Sequence, residues 1–183
     1  MRVITGTAKG RRLKTIEGTD LVRPTSDRVK EAIFSILQFD LPGSMVLDLF
    51  AGSGQLGIEA LSRGASLCVF TDNSKTAQEV IKENLKTTNL FSKSRVVGTE
   101  ATSFLAGTKD LFDIALLDPP YHQGLITQVL PALTEKMSER GIIVCEHPLD
   151  ETLPEACGAF RMAKQHKFGK IMLSVYRRTE SEE

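Results

Sequence analysis

The chain has 183 residues, with 23 lysines and arginines balanced by 23 acidic side chains, and 41% of its residues are hydrophobic. That length fits one domain with a small appendage. Its apolar runs are shorter than the ~20 residues that cross a bilayer, and no apolar stretch of a signal peptide follows Met1. We therefore expect a cytoplasmic protein. Three scattered cysteines favour neither a disulfide framework nor a zinc site, so no metal is expected.

The charge is concentrated at the N-terminus, where residues 1–30 carry eight cationic side chains against three acidic ones. Two short strand-like stretches, 2–5 and 11–14, flank a turn and predict a hairpin. We interpret residues 1–22 as a basic arm that stands away from the core. Such an arm suits a phosphate-rich partner, although a merely solvated basic surface would have the same composition.

The next elements follow in chain order. The stretch "RPTSDRVKEAIFSIL" predicts a helix that Thr25 or Ser26 caps. Strand-like and helix-like stretches then alternate, including a helix over 123–138, and two strands that meet near Gly169 end the pattern. Alternation of this kind predicts a doubly wound α/β fold, with a mostly parallel sheet and an antiparallel last strand. The main domain is expected over 23–178, and a frayed tail over 179–183.

A glycine-rich turn follows the first strand of this pattern. Gly52, Gly54 and Gly57 fit GxGxxG between a strand and a helix, and Asp72 ends the next strand, where an acid can hold ribose hydroxyls. An adenosine-containing ligand is indicated, but NAD, FAD and S-adenosylmethionine all qualify, and a structural turn remains open. Asp48 could bind a ligand's amino group or order the loop, and it weakly disfavours a pyrophosphate.

The tetrapeptide Asp118-Pro119-Pro120-Tyr121 ends a later buried strand. Two prolines fix two φ angles and remove two N–H donors, so nearby carbonyls and the Asp118 carboxylate form a cluster of acceptors. An exocyclic amine of a base needs such acceptors, because its lone pair is delocalised until its hydrogens are held. Tyr121 offers a flat face on which the base can stack. A structural turn stiffened by proline is the alternative.

Four stretches carry a family resemblance: "VITGTAKGRRL", "RPTSDRVKEAIFSIL", "LDLFAGSGQLGIEALSRGA" and "LLDPPY". Together they resemble the bacterial small-subunit rRNA guanine-N2 methyltransferase family, within the class I methyltransferases. The resemblance covers nearly the whole chain and weakens after about residue 150. The DPPY motif alone is shared with adenine-N6 and cytosine-N4 enzymes, so the two N-terminal stretches point to the ribosomal family.

The resemblance implies a seven-stranded sheet and S-adenosylmethionine as the cofactor. Its partner would be small-subunit rRNA, either free or within a partly assembled subunit. The catalytic residues expected are Asp118, Pro119, Pro120 and Tyr121. The cofactor contacts expected are Asp48, Phe50, Gly52, Gly54, Asp72, Glu100, Ala101 and Thr25, the last at a helix start over the site. The RNA contacts expected are Lys9, Arg11, Arg12, Arg23 and Arg28, where the last two could serve the cofactor instead.

Two positions depart from the family's pattern. Asp72 stands where the ribose-binding acid is usually Glu, and Glu100 stands where Asp or Asn is usual. Three other functions remain open: a DNA adenine-N6 methyltransferase, a nicotinamide oxidoreductase, and an RNA-binding protein without catalysis. The short chain leaves little room for a sequence-reading or substrate domain, and an oxidoreductase would leave DPPY without a use.

Overall fold

A computed structural model describes residues 1–16 and 25–180 of the chain. Within them lie five α-helices: α1 (Asp27–Leu37), α2 (Gln55–Ser62), α3 (Lys75–Thr87), α4 (Ala101–Gly107) and α5 (Leu125–Thr134). A single 3₁₀ turn spans Phe91–Lys93. The strands are β1 (Met45–Asp48), β2 (Leu67–Thr71), β3 (Ser94–Val97), β4 (Phe112–Leu117), β5 (Met137–Pro148), β6 (Ala156–Cys157), β7 (Phe160–Phe168) and β8 (Ile171–Arg178).

All eight strands form one sheet in the order β3-β2-β1-β4-β5-β8-β7-β6. The first five are parallel, and β8 runs antiparallel to β5. The chain first adds β2 and β3 on one side of β1 and then returns to add β4 and β5 on the other side. The order in which strands are added therefore changes direction between β1 and β4. This doubly wound order confirms the predicted fold class, and its switch point is where such folds bind ligands.

The sheet has one more strand than the seven expected. β6 contains only two residues, Ala156 and Cys157, which pair with the start of β7 across a tight turn at Gly158. Two residues are too few to show strand periodicity. The helix expected over 123–138 also ends earlier, at Thr134, since Met137 already pairs with Phe112 in the sheet.

Helices cover both faces of the sheet because side chains alternate along each buried strand. Val46 packs in the cluster that contains α1, α2 and α3, whereas its neighbour Leu47 packs in the cluster that contains α4 and α5. Ser26 caps α1 by accepting a hydrogen bond from the Val29 N–H group. Cys68 and Cys145 are fully buried in this core, and Cys157 is half-buried.

The N-terminal segment, residues 1–16, does not stand away from the core, so that interpretation was wrong. Arg2 bridges Arg12 in a hairpin-like pair, but Val3 and Leu13 are buried in the core cluster. The N–H groups of Ile4 and Thr5 donate to the Glu59 carboxylate of α2. The segment is therefore part of the main domain. The expected arm's remaining residues, 17–22, and the domain start at 23 lie outside the described residues.

The C-terminal boundary also needs a correction at its first residue. The N–H group of Thr179 donates to the Ala159 carbonyl at 2.8 Å, and its hydroxyl donates to the same carbonyl at 3.1 Å. Thr179 is thus bonded to the start of β7 and is not part of a frayed tail. Residues 181–183 of the expected tail lie outside the described residues.

Candidate active site

The expected site residues meet at the carboxyl edge of the sheet, where the parallel strands end. Asp48 ends β1, and the glycine turn follows it. Asp72 follows β2, Glu100 follows β3, and Asp118 follows β4. Because β1 to β4 are parallel neighbours, their carboxyl ends face the same crevice. One fold feature therefore gathers residues that are up to 70 positions apart in sequence.

The glycines of the turn allow α2 to pack closely on the sheet and a ligand to approach the backbone. Gly52 and Gly54 have φ angles of +57° and +82°, a left-handed conformation that favours glycine. A Cβ atom at Gly52 would meet nothing within 4 Å, so this side of the turn is open to a ligand. A Cβ at Gly57 would lie 2.3 Å from Cε1 of Phe70, so Gly57 serves helix-to-sheet packing.

Asp72 holds the turn in place. Its carboxylate accepts hydrogen bonds from the Gly52 N–H at 3.0 Å and the Ser74 N–H at 2.9 Å. Each carboxylate oxygen has a second lone pair, so Asp72 can also accept from ribose hydroxyls. The shorter side chain that replaces the family's usual Glu is thus already positioned by two backbone donors.

Asp48 is buried beneath the turn and accepts a hydrogen bond from the Gly57 N–H at 3.0 Å. Burial raises the pKa of Asp48 to about 7, and the nearby Asp72 charge adds to the rise against the opposing Gly57 hydrogen bond. A carboxylate in this state would gain from a cationic ligand group. Both roles considered for Asp48 therefore remain open, although the loop-ordering contact is the one seen.

Gln55, the first residue of α2, indicates whether the crevice suits an adenosine cofactor that carries an amino group. It is 7% exposed, and its Oε1 atom has no hydrogen-bond partner among the described residues. A buried acceptor at the helix start beside the glycine turn needs a donor. The residues around the turn therefore fit a ligand that brings both hydroxyl groups and an N–H donor.

At the DPPY end of the crevice, the buried carboxyl group of Glu146 accompanies that of Asp118. The Thr25 hydroxyl lies 2.7 Å from Oδ2 of Asp118 and 2.9 Å from Oε2 of Glu146, at the carboxyl end of β5. The Tyr121 hydroxyl donates to Oε1 of Glu146 at 3.2 Å. Residues from α1, β4 and β5 thus converge on one point, and the hydroxyls of Thr25 and Tyr121 fix the two carboxyl groups.

These two carboxyl groups have raised pKa values, and each influences the ionisation of the other. Burial, and then the nearby Glu146 charge, raise the pKa of Asp118 well above its ordinary value. Burial also raises the pKa of Glu146, against the hydrogen bonds from Thr25 and Tyr121. Two carboxylates that contact the same Thr25 hydroxyl in a poorly solvated place cannot both ionise easily. The pair can therefore both accept a hydrogen bond and take up a proton.

The remaining expected cofactor residues lie along the same edge. Glu100 is exposed at the start of α4, and Ala101 and Phe50 pack half-buried against the core cluster of α4 and α5. Thr25 lies at the start of α1 as expected, but its hydroxyl is bonded to carboxyl groups. Contact of these residues with a cofactor stays a prediction.

The expected RNA contacts that the structure describes are all exposed. Arg11 and Arg12 are exposed on the N-terminal segment. Lys9 is exposed in its turn, beside Ser62 at the end of α2 that points away from the glycine turn. Arg28 is exposed on α1, with its guanidinium 5.6 Å from the ring centroid of Phe168. Arg23 lies outside the described residues. Contact of these cations with RNA stays a prediction.

Glu146 is the site residue that sequence reasoning missed. The predicted strand "GIIVCEH" contained it, but no motif marks it. A signal was present, since an acidic residue at the carboxyl end of an otherwise apolar parallel strand must lie at the ligand-binding edge. Two other findings concern the described residues alone: no His, Cys, Asp and Glu side chains cluster as metal ligands, and no helix has the length and hydropathy to cross a membrane.

Comparisons with known proteins show the family to which the chain belongs. The family model described as conserved hypothetical protein 95 matches residues 1–177. YlbH of Bacillus subtilis is 40% identical, covering 97% of this chain and 99% of its own length. Ribosomal RNA small subunit methyltransferase D of Escherichia coli is 31% identical, covering 97% of this chain and 90% of its own.

Solved structures show the same fold. The Escherichia coli protein yhhF superposes with a TM-score of 0.87 at 31% identity, covering 97% of both chains. A more distant structure, SMU.776 complexed with SAH, shares the fold alone, with a TM-score of 0.66 at 13% identity over 79% of this chain and 49% of its own. The chain therefore belongs to the family described as conserved hypothetical protein 95, and it is a methyltransferase of the class I fold.

Proposed function

We propose that this protein transfers a methyl group from S-adenosylmethionine to the exocyclic N2 amine of a guanine in small-subunit rRNA. The observation that carries the proposal is the cluster of Thr25, Asp118, Tyr121 and Glu146 at the same sheet edge as the glycine turn. The ribosomal substrate is supported by the name of the Escherichia coli relative. Such a substrate would place the protein in the cytoplasm.

The residues of the glycine turn would hold the cofactor. Gly52 leaves its backbone open to close approach, and Asp72 has lone pairs for ribose hydroxyls. The buried Oε1 of Gln55 and the Asp48 carboxyl would accept hydrogen bonds from an amino group. When bound, S-adenosylmethionine supplies an electrophilic methyl group on a sulfonium. The complex of SMU.776 with SAH supports this choice among adenosine ligands.

Asp118 would act on the amine. Its carboxylate accepts an N–H of the guanine N2 group and so frees the nitrogen lone pair for attack on the methyl carbon. As that nitrogen bonds to the methyl carbon, the methyl group would leave the sulfonium, and the sulfur would keep the bonding electrons. The nitrogen then loses a proton, and the Asp118–Glu146 pair can receive it because it carries one negative charge when it shares a single proton. Positioning of the two reactants supplies much of the remaining acceleration.

Tyr121 and the two prolines would hold the base. Pro119 is buried and Pro120 is exposed, so the motif fixes the backbone at the rim of the crevice. Tyr121 is half-buried, and its hydroxyl is bonded to Glu146, which sets the ring's orientation. A guanine turned out of its stack could lie against that ring. Phosphate contacts from Arg11, Arg12 and Arg28 would add affinity without choosing the base.

The test is incubation of the protein and S-adenosylmethionine carrying a labelled methyl group with small-subunit rRNA, followed by nucleoside mass spectrometry. Labelled N2-methylguanosine is expected with wild type, and none is expected with Asp118→Ala, whose cofactor affinity by calorimetry should remain. Labelled N6-methyladenosine, or label in duplex DNA only, would favour the adenine enzyme instead. Binding of NAD without binding of S-adenosylmethionine would overturn the proposal.

A further inference from the structure

The hairpin of β7 and β8 has an unusual charge. Residues 160–178 include no acidic side chain, but they include six cationic ones: Arg161, Lys164, Lys167, Lys170, Arg177 and Arg178. The chain as a whole is neutral. The hairpin is therefore a strongly basic end of the sheet, separate in sequence from the basic N-terminal residues.

Strand register shows which cations share a face. Residues directly opposite each other in antiparallel strands project to the same side. Lys164 is opposite Val175, which packs in the core cluster that includes α1, and Arg161 is opposite Arg177, whose other neighbour Ile142 packs in that same cluster. Arg161, Lys164 and Arg177 are therefore on the α1 side of the sheet. We call these three residues the α1-side cations.

Two other cations of the hairpin, Lys167 and Arg178, differ from this set. Lys167 is opposite Met172, next to His147 in register, and projects to the other face. Arg178 donates to the carbonyls of Met137 and Ser138, with its guanidinium over the Phe160 ring, so it is already engaged. By contrast, the α1-side cations are exposed, and within the described part of the chain they form no ion pair.

The same face leads to the catalytic cluster. Glu146 is opposite Leu173, and Leu173 is opposite His166, so a row of side chains on this face crosses two strand spacings, or about 10 Å. Arg28 of α1 lies over Phe168 at the end of the same strand, three residues after the Thr25 that donates to Asp118. Lys164, in register with Val144, and Arg28 therefore lie on the hairpin side of the candidate active site, whereas Arg161 and Arg177 are in register with Ile142, four residues before Glu146.

We propose that the α1-side cations form an RNA-binding surface, which holds phosphates beside the target nucleotide while its base enters the DPPY crevice. This inference rests on the proposed rRNA substrate. Uncompensated arginine and lysine side chains on one exposed face suit a polyanion, and Arg28 links that face to the site. Because the contacts are to phosphates, this surface sets affinity and register, whereas the base is chosen in the crevice.

The experiment compares two double variants with the same loss of charge. Arg161→Ala with Lys164→Ala removes two α1-side cations. Lys82→Ala with Lys167→Ala is the control, because it removes one exposed cation of α3 and one from the other face of the same hairpin. Binding to a small-subunit rRNA fragment is measured over a range of salt concentrations, together with KM and kcat for methyl transfer.

The α1-side double variant should bind RNA on the order of 10-fold more weakly near 0.15 M salt, with a salt slope shallower by up to about 2 units. KM for RNA should rise, and kcat and cofactor affinity should stay unchanged. The control should stay within about twofold of wild type. Equal weakening of both doubles, or of neither, would overturn the inference, as would a defect seen only with subunits that contain protein. Failure of wild type to methylate any rRNA would instead refute the proposed function.

Discussion

Two buried carboxylate centres in this protein have opposite surroundings. Glu59 on α2 is fully buried and accepts from Lys30 at 3.3 Å, from Arg63 at 3.2 Å, and from two backbone N–H groups of the N-terminal segment. Within the described part of the chain, the hydrogen-bond donors to Asp118 and Glu146 are the hydroxyls of Thr25 and Tyr121, and no lysine or arginine pairs with either carboxyl group.

This difference indicates a structural role for the Glu59 centre and a catalytic role for Asp118 and Glu146. A buried charge whose partners neutralise it contributes to a fixed arrangement, and here it fastens residues 1–16 to α2. The pair formed by half-buried Asp118 and buried Glu146 has no cationic partner among the described residues, so both pKa values are raised and the pair can exchange a proton, which is a property of active sites. The four predictions that follow test this contrast, beginning with the largest expected effect.

Replacing Glu59 should destabilise the fold most. Glu59→Ala leaves the ammonium of Lys30, which is fully buried, without its partner, so we expect a loss of ~3–5 kcal/mol in the free energy of unfolding. Denaturant titration measures it. The control is Glu83→Ala, which breaks the exposed pair with Lys14 and should cost at most ~1 kcal/mol. Similar losses from both would contradict a structural role for the buried centre.

Asp48 extends the contrast, because it is buried with a single backbone donor and no cation. Since its pKa is raised to about 7 in the folded protein, its contribution to stability is present below the unfolded value near 4 and is lost as pH rises through about 7. Asp48→Asn should remove that dependence, so above pH 7 it should be more stable than wild type by on the order of 2–4 kcal/mol. Parallel stability curves from pH 4 to 8 would refute this.

The catalytic pair should reveal itself in the pH dependence of methyl transfer. Activity should rise with pH as Asp118 ionises, above the range of an ordinary carboxyl group. Glu146→Gln removes the neighbouring charge, so the acid limb of kcat should move to lower pH. Thr25→Val removes a hydrogen bond that favours ionised Asp118, so the limb should move to higher pH. Shifts of the same sign in the two variants would contradict the shared proton.

The smallest effect is expected at the Tyr121 hydroxyl. Tyr121→Phe loses its hydrogen bond to Glu146, worth about 1 kcal/mol, so the single-turnover rate should fall by no more than roughly fivefold. Tyr121→Ala removes the ring on which the base would stack, and its loss should be severe. Equal damage from both variants would show that the hydroxyl, and not the ring, is the important part.

The cofactor side of the site could be predicted because its residues are close in sequence or follow the strand pattern. Gly52, Gly54 and Gly57 form one motif, and Asp72 ends the next strand. Parallel strands bring such positions to one edge, so pattern and fold class were enough. The same reasoning predicted the order of helices and strands but not β6. The two residues of β6 pair with β7 because the chain turns back at Gly158, and two residues show no strand pattern in the sequence.

The amine side could be predicted only in part. DPPY marked Asp118 and Tyr121, but the contact between Thr25 and Glu146 joins residues 121 positions apart, which no local pattern reveals. The prediction of an arm that projects from the core was wrong for another reason. That prediction rested on the basic residues alone. Val3 and Leu13 are buried against α2 and the core, and this burial outweighs the solvation of their exposed neighbours.

The different burial of the three cysteines has a practical consequence for fluorescence work. Burial raises the pKa of the Cys68 and Cys145 thiols, so neither forms the reactive thiolate at neutral pH. Cys157 is half-buried on β6, the edge strand beside the basic hairpin. A maleimide dye should therefore attach to the wild-type protein at that position, where its emission could report rRNA docking in real time without the removal of another cysteine.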